Sequence, residues 1–385
     1  MPGFELLGKE EKKEILKLFN FKGIPKKSIF SNSSKVKMFE ENFAKFVGSK
    51  YSIMVSSGTA AIKTALIAAG VKHGDEVITQ CFNFIAVVEA IIDIGAKPII
   101  TEINETLNMC PEDLKRKITK KTKVIIPVHM LGVSAEIDKI KKIATKNNLI
   151  VLDDNCEALG AKWKNNMLGN QFDMCCWSFD GGKTITTGEG GMITTNSKKF
   201  YELCKEYKDH GHQNNSKLPR GRDTHRIPGF NFRSTELNAS IGIAQLKKID
   251  KILKKNSQYY SMYEKMLKNL DQIQLRKIPN KSLPLGDCII FSFPKIEQNK
   301  KFVKLLKSNN LPTKNLPDAI EWHFSIYWDH IFKLFNIKKN KLKNMFKKSQ
   351  KILFRSVAIP IYVTDSKKKV QKKINIISKL IHESL

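Results

Sequence analysis

A lysine among glycines stands in the stretch S-F-D-G-G-K-T-I-T-T-G-E-G-G, which runs from Ser178 to Gly191. Residues 174–177 before it and 192–195 after it are typical of buried strands, so Lys183 is predicted to lie on the turn between them. The glycines let main chain pass close to a bound ligand. A lysine in a largely apolar site can lose its proton near neutral pH and attack a carbonyl carbon. This stretch alone leaves a plain hairpin with a surface lysine equally open.

Two adjacent carboxylates, Asp153 and Asp154, begin the second chemical feature, D-D-N-C-E-A-L-G-A. They close a predicted buried strand, where successive side chains point to opposite faces, so one carboxylate can enter a site while the other faces away. Capping of the following helix by both residues is the alternative. The presence of a turn lysine in the same chain favours the site.

An anion site is predicted at S-S-G-T-A-A, residues 56–61, between a strand at 51–55 and an Ala-rich helix. Free N–H groups and the positive end of the helix dipole meet at such a helix start. The same residues also fit a plain helix cap made by Ser57 or Thr59.

Alternating strands and helices between residues 51 and 153 position these features. Runs of Val, Ile and Leu separated by helices predict a parallel sheet covered on both faces, with ligands at the carboxyl ends of its strands. Four polar stretches lie at such ends: 56–59, 81–84, 129–132 and 153–157. Outside this region, helices are predicted at 5–19, 36–47, 197–212, 235–246 and 249–267, and a loop at 21–35.

Length and composition favour an enzyme of two domains. The predicted large domain spans 1–255, with an N-terminal segment that can contribute to the small domain, and the smaller α+β domain spans 256–385. The sequence has no long uncharged apolar stretch and no signal peptide, so we expect a cytoplasmic protein without a membrane span. Its seven cysteines include no CxxC pair, so we expect no metal site.

The net charge of +30 is the one feature that points to nucleic acid. The lysines, however, are spread along helical faces and are not interleaved with aromatic residues, as a nucleic-acid groove requires. We therefore interpret the charge as a general lysine bias that also attracts anionic substrates, and expect no nucleic-acid partner.

The whole set of motifs resembles the DegT/DnrJ/StrS family of sugar aminotransferases. The matching pieces are S-S-G-T-A-A, G-D-E-V-I, F-N-F, P-V-H-M-L-G, D-D-N-C-E-A-L-G-A, S-F-D-G-G-K-T-I-T-T-G-E-G-G and G-F-N-F-R-S-T-E-L-N-A. Each piece is modest, but their order and spacing are specific. The opening M-P-G-F-E-L-L-G and K-D-H-G-H resemble most the branch that makes 8-amino-3,8-dideoxy-manno-octulosonate for lipopolysaccharides.

The resemblance implies the α/β fold of fold-type I pyridoxal-phosphate transferases, whose large domain has a mostly parallel seven-stranded sheet. It implies pyridoxal 5'-phosphate as the cofactor, with pyridoxamine 5'-phosphate formed during the reaction. The residues that match family positions around the cofactor are Lys183 (Schiff base and proton transfer), Asp154 (pyridine nitrogen), Phe84 (ring stacking), Gly58, Thr59 and Ser178 (phosphate), and Glu157 (near the phenolic oxygen). A carboxylate at position 157 would face a phenolate, so either it is protonated or a contact intervenes.

The resemblance also implies a homodimer with a shared active site, because Asn231 matches a residue that the family donates from the neighbouring subunit. L-Glutamate is the implied amino donor, and a keto or aldehyde sugar, most closely 3,8-dideoxy-8-oxo-manno-octulosonate, is the implied acceptor. Candidates for holding an anionic sugar are His210, His212, Arg233 and His323.

Three other functions stay open at this point. A nucleotide-linked 4-keto-6-deoxy sugar could be the acceptor, as in perosamine-type enzymes, which share K-T-I-T-T-G-E-G-G. A sugar 3-dehydratase would use the same cofactor but is expected to have histidine where this chain has Lys183. A cofactor-bound regulator or nucleic-acid-binding protein is suggested by the charge alone.

Overall fold

A computed structural model describes residues 3–19 and 34–385 of the chain. Nearly all of the predicted loop at 21–35 lies outside these residues. The helices are α1 Lys9–Phe19, α2 Lys35–Val47, α3 Gly58–Ala68, α4 Ala86–Asp93, α5 Pro111–Lys117, α6 Ile137–Lys146, α7 Lys198–Tyr207, α8 Glu236–Leu246, α9 Ile249–Leu267, α10 Ile296–Ser308, α11 Ile320–His323, α12 Asp329–Phe332, α13 Lys339–Leu342, α14 Lys347–Leu353 and α15 Lys367–Ser384. The strands are β1 Tyr51–Val55, β2 Glu76–Gln80, β3 Lys97–Thr101, β4 Thr122–Ile126, β5 Ile150–Asp154, β6 Lys162–Trp163, β7 Asn166–Met167, β8 Met174–Ser178, β9 Gly191–Thr195, β10 Gln274–Leu275, β11 Ser282–Leu283, β12 Cys288–Ser292 and β13 Ser356–Pro360.

The large sheet has seven strands in the order β1-β9-β8-β5-β4-β2-β3. Strands β3, β2, β4, β5 and β8 are mutually parallel, whereas β9 is antiparallel to both of its neighbours. The predicted, mostly parallel seven-stranded sheet is therefore confirmed. Since β8 and β5 are parallel and adjacent, the turn after β8 lies at the same sheet edge as the end of β5.

Two apolar layers cover this sheet, as the continuous apolar strands require. Helix α2 supplies one of them through Phe39 and Phe43, which are fully buried. The ring of Phe43 packs edge-on against Trp177 at 5.3 Å and Phe179 at 5.2 Å, measured between ring centroids. These two residues flank the end of β8, so α2 packs directly behind the strand that leads to Lys183.

A second core lies around the antiparallel sheet β10-β12-β13, against which α10 and α15 pack. Helix α9 belongs to both cores, because Ile249 and Ile252 pack with the large sheet whereas Tyr259 and Tyr263 pack with the small one. The predicted domain boundary after residue 255 falls inside this helix, and the division into 1–255 and 256–385 stays a prediction.

Two predicted helices are shorter in the structure. The helix predicted at 5–19 is a 3-10 turn over Phe4–Leu6 followed by α1, which begins only at Lys9. The helix predicted at 197–212 ends at Tyr207, since His210 adopts a left-handed conformation (φ 55°) and the chain turns there. Gly8 directly precedes α1, and Gly211 follows His210 in the turn after α7 with a φ of 84°. Glycine favours both breaks because it weakens a helix and accepts a left-handed conformation.

A search of the described residues finds no helix with the length and apolarity needed to cross a membrane. Within the same residues, no group of three or more His, Cys, Asp or Glu side chains is arranged to hold a metal ion.

Truncating Phe43 should test the packing behind β8. We expect Phe43→Ala to lower the free energy of unfolding by about 3–5 kcal/mol, since it leaves a cavity among four aromatic neighbours. The control is Met38→Ala on the same helix, because Met38 is 42% exposed. Urea unfolding of the cofactor-free protein measures both, and equal losses for the two variants would contradict the assigned packing.

Candidate active site

Lys183 lies on the turn between β8 and β9, as predicted, and its side chain is half-buried. Its amide N–H donates to the Asp180 carbonyl at 3.1 Å, and the Thr187 amide donates to Phe179 at 2.9 Å. The Thr186 hydroxyl donates to the same Phe179 carbonyl at 3.0 Å. The threonines thus give the glycine-rich turn a defined shape and direct Lys183 into a cavity.

The start of α3 forms the opposite wall of this cavity. Ser57 is the N-cap, and its hydroxyl accepts from the Ala60 amide at 3.1 Å, whereas Thr59 lies inside the helix. A Cβ atom on Gly58 would lie 2.9 Å from Cβ of Ser178 and 3.3 Å from Sγ of Cys156. The close approach leaves main-chain N–H groups at the positive end of the helix dipole open to an anion.

The two adjacent carboxylates take separate environments. Asp154 lines the cavity, and its Oδ1 accepts from the Cys156 amide at 2.9 Å. Burial raises the pKa of Asp154, against the opposing effects of the Cys156 amide and the positive charge of Lys183. A cationic ligand group beside Asp154 would lower its pKa and favour the ionised carboxylate.

Asp153 instead contacts His129, and both side chains are fully buried. The Nε2 atom of His129 lies 2.7 Å from Oδ1 of Asp153, and the Ala135 amide donates to Nδ1 of His129 at 2.8 Å. An Nδ1 that accepts a hydrogen bond leaves the imidazole proton on Nε2, facing Asp153. The predicted division of the pair, one carboxylate in the site and one behind it, follows from these contacts.

Glu157 is an ionised carboxylate in the cavity wall. Burial alone would raise the pKa of Glu157, but the positive charges of Lys183, His323 and Lys314 and the Leu131 amide lower it to about 2. Its Oε2 accepts from Leu131 at 3.0 Å, and its Oε1 accepts from Nδ2 of Asn315 at 3.2 Å. The lowered pKa thus argues against the protonated form that the sequence leaves open, and the role of Glu157 beside the phenolic oxygen stays a prediction.

Phe84 exposes 44% of its surface at the cavity. The ring of Trp322 lies nearly parallel to it, at 15° and 6.2 Å between centroids, and the His323 ring lies 5.5 Å away. One face of Phe84 is thus supported from the C-terminal half of the chain.

These groups surround a single cavity of about 400 Å³. Eight of the residues singled out in the sequence line it: Gly58, Thr59, Phe84, Asp154, Glu157, Ser178, Lys183 and His323. The set fits pyridoxal phosphate by its chemistry, since it combines an anion site at a helix start, a lysine amine, a buried carboxylate and an aromatic face.

A family model described as the DegT/DnrJ/EryC1/StrS aminotransferase family matches residues 10–378. The chain belongs to this family. The predicted pyridoxal-phosphate-dependent sugar aminotransferase is thereby confirmed at the level of the family, together with its cofactor.

One relative of this chain is the GDP-perosamine synthase of Escherichia coli O157:H7. It is 39% identical over 64% of this chain and 66% of its own length. The chain thus spans about two thirds of that enzyme. An uncharacterized protein of Methanocaldococcus jannaschii is 32% identical over 98% of this chain and 96% of its own length.

Solved structures support the fold. An aminotransferase from Psychrobacter cryohalolentis matches with a TM-score of 0.84 and 25% identity, over 99% of this chain and 98% of that one. The Streptococcus pneumoniae protein Spr1654, solved in PLP and PMP forms, matches at 19% identity with TM-scores of 0.82 and 0.83, over 98% of this chain and 97–98% of those chains.

Four of the predicted site residues do not line the cavity of their own chain. Asn231 is exposed, and its main chain pairs with Asp209. Arg233 is held by Asp209, with 2.5 Å between Nη1 and Oδ1. His210 is exposed, and Nδ1 of His212 lies 3.3 Å from Asp223.

The cavity lining also includes residues for which the sequence analysis gives no role in the site. They are Cys156, Asp180, Glu189 and Asn315, together with Ser57, which it considers only as a helix cap. Asn315 is the most informative of them, because its Nδ2 also lies 3.3 Å from Nε2 of His323. The run K-N-L-P is a recognisable turn signal, but no local pattern says which site a turn reaches.

Filling the space at Gly58 should weaken binding of pyridoxal phosphate. We expect Gly58→Ala to lower the affinity about tenfold or more, because the new methyl group must displace Ser178 or Cys156. Gly221→Ala is the control, since a Cβ there meets no atom within 4 Å. Equilibrium dialysis measures both, and an unchanged dissociation constant for Gly58→Ala would contradict an anion site here.

The ionised state of Glu157 predicts how its contribution depends on pH. Its folded-state pKa of about 2 lies below the ordinary 4.5, so the stabilisation is complete above pH 4.5 and is lost as the pH falls towards 2. We expect Glu157→Gln to be less stable than wild type at pH 6, and the difference to shrink below pH 4.5. Urea midpoints across pH measure this, with exposed Glu105→Gln as the control. A difference that grows on acidification would contradict it.

Proposed function

We propose that this chain transfers an amino group from L-glutamate to the carbonyl carbon of a sugar. One observation carries the proposal: Lys183, Asp154 and the helix start at Gly58 line the same cavity, at the edge where parallel strands end. A nucleophilic amine, a buried carboxylate and an anion site are the three groups that this chemistry requires of the protein.

Each of these residues has a distinct task. Bound pyridoxal phosphate supplies an aldehyde that carries the amino group and a ring that absorbs the electrons released at the substrate carbon. Lys183 holds the cofactor through its amine and then moves the proton at the substrate carbon. Asp154 keeps a proton on the ring nitrogen by its negative charge. The N–H groups around Gly58 and Thr59, with the Ser178 hydroxyl, bind the phosphate.

A shared active site in a homodimer is part of the proposal. Asn231 lies on an exposed segment beside the turn that contains His210, and Arg233 stands two residues further along. We infer that this segment serves the cavity of a partner subunit, which accounts for its distance from the cavity of its own chain. His323 lines the cavity of its own chain and is the remaining candidate for contact with the sugar.

A nucleotide-linked 4-keto sugar is the first proposed acceptor. The support is the identity of 36–39% to GDP-perosamine synthases over about two thirds of this chain. A strongly basic protein also suits a substrate that carries a diphosphate, since its surface charge attracts anions.

The second proposed acceptor is 3,8-dideoxy-8-oxo-manno-octulosonate, an aldehyde sugar acid whose 8-amino product belongs to some lipopolysaccharides. Its support is the resemblance of the M-P-G-F-E-L-L-G segment to that branch, and part of this segment contacts the Lys183 turn. The Gly3 amide donates to the Lys183 carbonyl at 2.9 Å.

Visible absorption of the protein with pyridoxal phosphate tests the reaction. We expect a band from the bound cofactor that L-glutamate bleaches, with one 2-oxoglutarate formed per site, and no such band in Lys183→Ala. Lys50→Ala, which removes an exposed lysine from another turn, should behave as wild type.

The acceptors are then compared by their ability to restore the band. Recovery with a nucleotide-linked 4-keto sugar, or with the octulosonate aldehyde, assigns the substrate. A band that glutamate leaves unchanged would argue for a different donor or a dehydratase. Absence of any band in the wild type would overturn the proposed function.

A further inference from the structure

The N-terminal strap, defined here as residues 3–6, lies directly on the turn that carries Lys183. The Gly3 amide donates to the Lys183 carbonyl at 2.9 Å, and the Phe4 amide donates to the Gly181 carbonyl at 3.1 Å. The strap therefore satisfies main-chain acceptors at both ends of Gly181-Gly182-Lys183, the part of the turn richest in glycine.

The fit between the strap and the turn depends on missing side chains on both sides. A Cβ atom on Gly3 would lie 2.7 Å from the carbonyl oxygens of both Gly181 and Lys183. A Cβ atom on Gly181 would lie 1.7 Å from Cζ of Phe4, so the phenyl ring covers the space left by that glycine. Neither glycine has a left-handed φ, so the requirement is steric, and it is specific to this contact.

The strap is itself fastened to distant parts of the chain. The Leu6 carbonyl accepts from Nζ of Lys248 at 2.8 Å, and Lys248 also pairs with Glu11 at 2.8 Å. The Oε2 atom of Glu5 accepts from the Thr364 hydroxyl at 3.0 Å. The turn is thus tied through the strap to the junction of α8 and α9 and to the loop after β13.

We propose that Gly3 and Phe4 are positioning residues for Lys183. A turn with two consecutive glycines loses much conformational freedom when it is ordered, and the two strap hydrogen bonds oppose that loss. The strap fixes the main chain at Gly181 and Lys183, and so the point from which the lysine side chain enters the cavity. The functional meaning of this positioning rests on the proposed role of Lys183.

Hydrogen–deuterium exchange of the cofactor-free protein tests the strap without any catalytic readout. We expect Gly3→Ala to speed exchange in peptides covering 179–187 about tenfold, since a turn released from the strap opens more often and exposes its own amides, including those of Lys183 and Thr187. Gly8→Ala is the matched control in the same segment, because a Cβ there meets only Oε2 of Glu10, at an ordinary 3.7 Å. Equal exchange in the two variants would overturn the proposal.

Two further measurements separate positioning from general destabilisation. Exchange in peptides from α15, at 367–384, should be the same in Gly3→Ala and wild type, and a matching acceleration there would also overturn the proposal. Phe4→Ala, which keeps both glycines, should show a smaller acceleration at 179–187, and Phe4→Leu should recover part of the protection.

The holoenzyme supplies the link to function. We expect Gly3→Ala to release pyridoxal phosphate about tenfold faster than Gly8→Ala, because the turn that carries Lys183 opens more often without the strap. The pH midpoint of the visible band should also shift, because Lys183 is then held less well in the cavity. Exchange that accelerates while release and midpoint stay at control values would refute a positioning role. If Lys183→Ala kept the wild-type band, the proposed function would fail, whereas the exchange difference between the two glycine variants would still decide the contact.

Discussion

Close contact between main-chain segments is the constraint on which this site depends. The helix start at Ser57 and Gly58 meets the beginning of β9 at Gly191 main chain to main chain, and it meets the end of β8 at the small side chain of Ser178. A Cβ atom on Gly191 would lie 2.2 Å from the Ser57 carbonyl oxygen, and one on Gly58 would press on Ser178. Peptide N–H groups can therefore face a small anion directly, which a wall of side chains would prevent. Ordering these glycines costs conformational entropy of the chain, and the flanking aromatic and threonine contacts offset that cost.

Three buried carboxylates within five residues differ in their electrostatic roles because their contact partners differ. Asp153 lies against His129 behind the sheet edge, whereas burial raises the pKa of Asp154, which faces the cavity. Glu157, equally buried, has its pKa lowered to about 2 by surrounding positive charges and by the Leu131 amide. The same side-chain type thus supplies a support, a group that favours a cationic ligand, and a fixed negative charge.

The sequence allowed prediction of those parts of the site that follow from local pattern. Strand ends, the β8–β9 turn and the Ser57 cap follow from periodicity and turn chemistry, so Lys183, Asp154 and Gly58 could be assigned to one sheet edge. Asn315 could not be found in this way, because its place at Glu157 depends on how the C-terminal half packs. The sequence analysis groups Arg233 and His212 with the site by residue type, yet Arg233 pairs with Asp209 and Nδ1 of His212 lies 3.3 Å from Asp223. The helix start after Gly8 and the left-handed turn at His210 and Gly211 show that local turn conformations outweigh apolar periodicity.

The cavity is lined by residues from both halves of the chain, so it can form only late in the synthesis of the protein. Ser57 and Gly58 leave the ribosome long before Asn315 and His323, which contact Glu157 or the aromatic wall. Contacts of such sequence separation form late and slow folding. A nascent chain that has completed the large sheet still lacks one wall of its pocket. Tight cofactor capture is therefore expected only after synthesis has passed residue 323, and translation and loading are ordered in time.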